Sequence, residues 1–318
     1  MVTGGAGYIG AHVVKALRDR GEPVVVLDDL STGQADRVGD AVLVRGSVGD
    51  GELVESTIRE HRVGGIIHIA AKKQVGESVA RPIYYYRENV GNLMTLLEAA
   101  TATGVSSFVF SSSAATYGMP DVDRVVEDTP LTPLSPYGET KVVGEWLGRA
   151  TAAISPLRAI SLRYFNVAGA ASPQLGDPGV FNLIPLALRA LTAGEAPKIF
   201  GDDYPTPDGT CIRDYVHVAD VADAHVCALE HLTSGGDSAT YNIGRGVGSS
   251  VREVLAVVAE VTGIATEPVV VPRRPGDPAR IVAAADRIKD GLGWTARYDL
   301  RAMVESAWEA WKVSPPAG

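Results

Sequence analysis

Cysteine is scarce in this chain, with two in 318 residues, Cys211 and Cys227. Two thiols are too few for a disulfide framework and lack the spacing of metal ligands, so no metal is expected and a reducing compartment, the cytoplasm, is favoured. No apolar run reaches the roughly 18 residues that span a bilayer, and the opening Met1-Val2-Thr3-Gly4-Gly5 does not read as a signal peptide. Basic residues are also in deficit. Against 38 Asp and Glu stand 29 Lys and Arg, and a net charge of −9 argues against a general nucleic-acid binder. A few local arginines could still hold a small anion. Hydrophobic residues at 46% and charged residues at 21% exclude disorder and fibrous repeats. The length fits one large α/β unit or two unequal domains.

The first half alternates short β-branched runs with helical patterns. Val24–Leu27, Ile66–Ala70, Phe108–Phe110 and Ala159–Tyr164 read as strands buried on both faces. Between them, apolar residues recur three or four apart, as at Ile9, Val13 and Leu17. Strand–helix alternation predicts a doubly wound parallel sheet of Rossmann type. After about residue 168 the rhythm breaks into segments rich in Pro, Gly and Asp, at 172–182 and 201–211. This predicts a dinucleotide-binding domain over 1–168 and a smaller α/β domain mainly over 169–318. Val216–Val218 and Thr240–Ile243 read as strands where the chain re-enters the first domain, near 216–243. The end, 314–318, is expected to fray.

Gly4-Gly5-Ala6-Gly7-Tyr8-Ile9-Gly10 spaces glycines as G-x-x-G-x-x-G ahead of a helix running to about Arg20. Such a turn lets backbone approach a pyrophosphate seated on the helix N-terminus. Alone it is weak, because many glycine turns only join a strand to a helix. The next strand ends at Asp28, 18 residues past Gly10. A carboxylate there accepts hydrogen bonds from ribose hydroxyls and repels a 2′-phosphate, which favours NAD over NADP. The strand before the glycines is only Met1 to Thr3, so either this strand is short or the start lies upstream.

Ser111-Ser112-Ser113 follows Phe108–Phe110 and would place hydroxyls at a carboxyl edge of the sheet. Further on stands Ser135-Pro136-Tyr137-Gly138-Glu139-Thr140-Lys141. Ser135 suits an N-cap and Pro136 the first helical position, so Tyr137 and Lys141 share one face. A free phenol has a pKa of ~10 and is a poor base at neutral pH. Stabilising its phenolate by roughly 4 kcal/mol, from a nearby ammonium and a positive nicotinamide, would bring it near neutrality. Ser113 would hold a sugar hydroxyl in line. Y-x-x-x-K alone is common by chance; with the glycine turn and Asp28 in this order it gains weight.

These motifs resemble the extended short-chain dehydrogenase/reductase family, and more closely its nucleotide-sugar 4-epimerases. The resemblance extends through Val75-Gly76-Glu77-Ser78, Leu162-Arg163-Tyr164-Phe165-Asn166-Val167-Ala168-Gly169, Gly201 to Thr210 and Arg213-Asp214-Tyr215-Val216-His217-Val218. It implies a tightly held NAD and reversible epimerisation at C4 of a UDP-hexose through a 4-keto intermediate. It also implies catalysis by Tyr137, Lys141 and Ser113, and a cofactor site of Gly4, Gly7, Tyr8, Ile9, Gly10, Asp28, Ser47, Val48, Ala70, Lys73, Asn89 and Phe165 beside Tyr137 and Lys141. The UDP-sugar would meet Ser113, Asn166, Asn182, Phe200, Arg213, Arg274 and Asp277. A homodimer built on helices near 84–103 and 137–153 is implied as well.

Three positions depart from the family pattern. Ser47 stands where Asp is usual near the adenine, and Glu88 where Asn is common beside Asn89. Ile281 stands where strict hexose enzymes carry a bulky Tyr and those accepting N-acetylated sugars a smaller residue. Epimerisation of UDP-N-acetylhexosamines or UDP-uronic acids therefore stays open. Nucleotide-sugar 4,6-dehydratases need an Asp-Glu pair after the serine, and this chain has Ala114-Ala115. A catalytically silent NAD-sensing regulator is the non-enzyme alternative. Such proteins lose the Tyr or the Lys, and here both remain.

Overall fold

The computed structural model describes residues 1–274 and 276–315; the end of the expected frayed tail, 316–318, lies outside them. In chain order the first half runs β1 (Val2–Thr3), α1 (Tyr8–Asp19), β2 (Val25–Asp28), β3 (Val42–Arg45), α2 (Gly51–Glu60), β4 (Gly65–His68), α3 (Val75–Ala80), α4 (Pro82–Tyr86), α5 (Asn92–Ala102), β5 (Ser107–Ser113), α6 (Pro136–Ile154) and β6 (Arg158–Tyr164). There follow β7 (Asn166–Ala168), α7 (Leu183–Thr192), β8 (Lys198–Phe200), β9 (Ile212–His217), α8 (Val218–Thr233) and β10 (Ala239–Ile243). The chain closes with β11 (Gly248–Ser250), α9 (Val251–Thr262), β12 (Val269–Val271), β13 (Arg280–Ile281), α10 (Asp286–Leu292) and α11 (Leu300–Val313).

Seven strands form a parallel sheet in the order β10-β6-β5-β4-β1-β2-β3. The strand order reverses between β1 and β4, which opens a crevice at their carboxyl ends. Both faces of the sheet are covered. One apolar cluster includes Val13, Val14 and Leu17 of α1 with Val221, Val226 and Leu232 of α8. The other packs Val54 and Ile58 of α2 and Leu93, Leu96 and Leu97 of α5 on Ile66 and Phe108. This two-sided burial is why the strands read as unbroken β-branched runs.

β1 is indeed reduced to Val2–Thr3, each fully buried and paired with β2 and β4. One strand reading needs correction. Val216–Val218 was expected as a strand of the first domain, but the strand is Ile212–His217 and Val218 opens α8. β9 belongs to a second sheet with β7, β11 and β13, while β10 is the strand that joins the main sheet, beside β6. His217 caps α8 through its ring, which accepts from the Ala219 N–H at 3.0 Å, so the strand pattern runs into helix without a turn signal. Among the described residues no helix is long and apolar enough to cross a membrane.

Four buried histidines are held in the neutral form, and one of them, His12, bonds across to Ala171 of the second part. Burial lowers His12 to about 4, His68 to about 3, His217 to about 4 and His225 to about 4. Each is depressed below its unfolded value, so its contribution is present above pH ~6.5 and is lost as pH falls towards 4, by up to ~3 kcal/mol per group. The midpoint of urea unfolding is therefore expected to drop between pH 7 and pH 5; an unchanged midpoint would contradict this account of the histidines.

Candidate active site

The glycine turn follows β1 and leads into α1. Gly4 adopts φ +70°, and a Cβ there would lie 2.6 Å from the Ala70 nitrogen, so residue 4 and Ala70 at the end of β4 touch backbone to backbone. A Cβ on Gly10 would sit 2.0 Å from the Gly4 carbonyl oxygen. These two glycines are required by packing alone. Gly7 is different, since a Cβ there would meet only the Gly4 carbonyl oxygen, at 3.4 Å. It is the N-cap of α1 and no side chain caps the helix, so the first-turn N–H groups face a free approach. That cradle fits the pyrophosphate of a dinucleotide.

Asp28 ends β2 beside the turn. One carboxylate oxygen accepts from the Ala6 N–H at 2.9 Å and the other from the Leu30 N–H at 2.8 Å. The residue expected to meet the ribose thus also braces the glycine turn. Val48 is buried, while Ser47 is exposed with its hydroxyl accepting from the Gly49 N–H at 3.1 Å. Lys73 places its ammonium 6.0 Å from the centre of the Tyr8 ring, and the Tyr8 hydroxyl donates to the Gly169 carbonyl at 2.5 Å. Ile9 is partly buried on α1, and Phe165 is buried at the end of β6. Asn89 lies in a wide π-turn over Arg87–Gly91. Its amide donates to the Lys72 carbonyl at 2.9 Å and to Thr140 Oγ1 at 3.1 Å, and accepts from the Lys72 N–H at 2.8 Å. Its polar atoms tie the loop after β4 to α6, a positioning role that its place in the Asn-Val stretch did not announce.

α6 begins as expected, with the Ser135 hydroxyl accepting from the Gly138 N–H at 3.2 Å and Pro136 in the first turn. Tyr137 and Lys141 are both buried on one side of it. Lys141 Nζ donates to the Ser111 carbonyl at 2.8 Å and lies 5.9 Å from the centre of the Tyr137 ring. Burial lowers the ammonium to about 8, against the pull of Glu145. Burial also raises the Tyr137 phenol, with the Ser113 hydroxyl working in the opposite sense. In the protein alone desolvation therefore outweighs the Ser113 hydrogen bond.

The serine triplet corrects one expectation. All three serines are part of β5, and Ser111 and Ser112 are fully buried inside the sheet. Ser111 Oγ bonds His225 Nε2 at 2.7 Å, and Ser112 Oγ donates to Glu145 Oε1 at 2.5 Å. Ser113 alone reaches the edge, where its hydroxyl accepts from the Ala115 N–H at 3.2 Å.

A partly enclosed cleft lies nearby, and its lining includes Tyr8, Asn166, Gly169, Asn182, Tyr215 and Trp311. Asn182 is the N-cap residue of α7 and donates to Asp177 at 3.1 Å. Arg213 pairs with Asp277 at 2.9 Å, and the Arg274 guanidinium stacks 3.7 Å from the centre of the Phe200 ring. Arg274 is thus laid over an aromatic face and Arg213 is held by a carboxylate, and guanidinium groups suit a diphosphate. Ile281 is buried with Tyr117, Val125, Phe165 and Ala283. Sequence reasoning missed His12, whose Nδ1 donates to the Tyr8 carbonyl and whose Nε2 accepts from the Ala171 N–H at 3.0 Å. It also missed Glu145, although that residue continues the i, i+4 series from Tyr137 through Lys141.

Comparison with known proteins gives the family. Residues 1–244 match the profile of the NAD dependent epimerase/dehydratase family. A UDP-glucose 4-epimerase of Azospirillum brasilense is 49% identical over 97% of this chain and 91% of its own. A crystal structure of a UDP-glucose 4-epimerase superposes with a TM-score of 0.95 at 43% identity, covering 99% of this chain and 97% of the other. A UDP-glucose 4-epimerase from Brucella ovis in complex with NAD gives a TM-score of 0.93 at 40% identity, with 96% of each chain covered. The chain belongs to the NAD dependent epimerase/dehydratase family.

Proposed function

We propose that Tyr137, Lys141 and Ser113 carry the reversible epimerisation of UDP-glucose and UDP-galactose at C4. The chain is an NAD-dependent isomerase of the UDP-glucose 4-epimerase type. The observation that carries the residue assignment is the meeting of Tyr137, Lys141 and Ser113 at the carboxyl end of β5, beside a glycine turn that leaves room for a pyrophosphate. NAD, when bound, supplies a reversible hydride acceptor for C4. Gly4, Gly7, Tyr8, Ile9, Gly10, Asp28, Ser47, Val48, Ala70, Lys73, Asn89 and Phe165 would hold or brace it.

Tyr137 as phenolate takes the proton of the 4-hydroxyl while the C4–H bond breaks, leaving a 4-keto sugar. The hydrogen lost from C4 as hydride to the bound NAD would return to the opposite face of that carbon as Tyr137 gives its proton back to the oxygen, which restores the alcohol with no net oxidation. Lys141, fixed on the Ser111 carbonyl, offers its remaining N–H bonds and its charge to that phenolate. Ser113 orients the hydroxyl. Asn166, Asn182, Phe200, Arg213, Arg274 and Asp277 would grip the UDP portion, so that the sugar can turn about its phosphate linkage and present either face. Ala114-Ala115 supply no acid or base for dehydration. Residues 1–168 would thus serve the cofactor and 169–318 mainly the UDP-sugar. Product identification by NMR after incubation with UDP-glucose, UDP-N-acetylglucosamine and UDP-glucuronate tests the substrate class. Conversion of UDP-glucose is expected, and its absence would contradict the reading.

The enzyme is further read as a homodimer of the cytoplasm. Support for the dimer comes from Met94 on α5 and Trp146 on α6, which are 48% and 52% exposed on adjacent helices. Both cysteines are free thiols, in keeping with a reducing compartment. Sedimentation at micromolar concentration should give a dimer, and Trp146→Glu should shift it to monomer; a monomeric wild type would refute the interface.

A further inference from the structure

We propose that the buried Glu145–Arg163 pair is a positioning element of the active site, fixing α6, and with it Tyr137 and Lys141, against β5 and β6. The proposal rests on the assignment of Tyr137 as the proton acceptor. Glu145 continues the series Tyr137, Lys141, Glu145 along one stripe of α6. Its carboxylate is gripped by Arg163, with Nε to Oε1 at 2.8 Å and Nη2 to Oε2 at 2.6 Å, and by Ser112 Oγ at 2.5 Å. Ser112 and Arg163 are partners in the β5–β6 register, so one carboxylate holds both halves of a rung. The flanking rungs are the functional ones. Ser111 pairs with Leu162 and lends its carbonyl to Lys141, while Ser113 pairs with Tyr164 at the cleft.

Arg163 carries the linkage outward. Its Nη1 donates to the Tyr117 hydroxyl at 2.8 Å and to the Glu127 carbonyl at 2.9 Å, and Tyr117 in turn donates to Asn242 at 2.7 Å. Tyr117 packs with Ile281 and Phe165. The network thus joins the helix bearing the base to the wall beside Phe165 and Ile281. A buried ion pair adds little net stability over apolar residues of the same shape. Its value lies in fixing one register, and a shift of α6 by about 1 Å would misplace Tyr137 enough to cost roughly 10²-fold in rate.

The charge matters as well as the grip. The groups facing Lys141 are Tyr137 and Glu145 on its own helix, His68 on β4, and the Ser111 carbonyl and Phe110 ring on β5, with Tyr164 on β6 beyond Tyr137. His68 is neutral, so Glu145 is the anion that opposes the desolvation of Lys141. The groups facing Glu145 itself are Lys141, Arg163 and Ser112, and through Arg163 come Tyr117, Glu127 and, paired with Glu127, Arg287.

The test is Glu145→Gln in the NAD-loaded enzyme, beside Glu145→Gln/Arg163→Met, which removes both charges and so spares Arg163 an unpaired burial. Both are expected to keep KM for UDP-glucose within about twofold, to lose roughly 10- to 100-fold in kcat, and to move the alkaline limb of kcat down by about one pH unit. Loss of the carboxylate removes what favours the ammonium, so Lys141 loses its proton at lower pH. Folded variants with wild-type kcat and an unmoved limb overturn the proposal. So does failure of both to fold, which would make the pair a stability element alone. An inactive Tyr137→Phe beside an unmoved Glu145→Gln profile sinks only this proposal, whereas an active Tyr137→Phe sinks the base assignment beneath it.

Discussion

Tyr137→Phe is expected to lower kcat for interconversion of UDP-glucose and UDP-galactose by about 10³-fold or more, with KM changed little. The ring is buried, so the variant keeps its packing and loses only the oxygen. Among the described residues, neither His68 nor Lys141 stands ready to replace it. His68 is held near pKa 3 and bonded to Thr3 at 2.7 Å, and Lys141 is committed to the Ser111 carbonyl. In the protein alone the phenol is raised by burial. The phenolate therefore depends on positive charge beside it, from Lys141 and from the oxidised nicotinamide when that is bound. Steady-state rates for the two proteins, measured with equal NAD content, decide the matter; a variant within tenfold of wild type would remove Tyr137 from the reaction.

The second large effect is expected at Gly10. Gly10→Ala would push a methyl to 2.0 Å from the Gly4 oxygen and 2.7 Å from Gly5 Cα, both backbone atoms of the cofactor turn. Relief requires α1 to move off the turn, at a cost of about 3 kcal/mol or more. The purified variant should carry no NAD and melt several degrees lower. Gly7→Ala separates binding from folding. Its backbone, at φ −80°, accepts a side chain, and its Cβ meets only one protein atom, at ordinary contact distance. It should keep its Tm without ligand and still lose NAD, because the methyl stands where the pyrophosphate approaches. A Gly7→Ala protein purified with full NAD would contradict the placement of the cradle.

Much of this was legible in the chain because local chemistry dictates it. The glycine turn, the cap at Ser135 and the Tyr137–Lys141 face depend on residues within one helical turn of one another, and two-sided burial left the parallel strands as plain apolar runs. What was misread depends on distant partners. Ser111 and Ser112 looked like edge hydroxyls because serine favours strand ends, yet His225 on α8 and Glu145 on α6 satisfy them inside the sheet. Val218 looked like strand because valines flank His217 at 216 and 218, and only the His217 cap, closed by a ring nitrogen, ends the strand there. Arg163 was visible in the Leu-Arg-Tyr-Phe-Asn stretch, but its partner lies 18 residues away on another element.

The central claim is that the hydrogen on C4 leaves and returns within one closed site while Tyr137 handles only the hydroxyl proton. UDP-glucose deuterated at C4, turned over in ordinary water, tests this most directly. The account predicts UDP-galactose with the deuterium still on C4; product carrying solvent hydrogen at that carbon would contradict it.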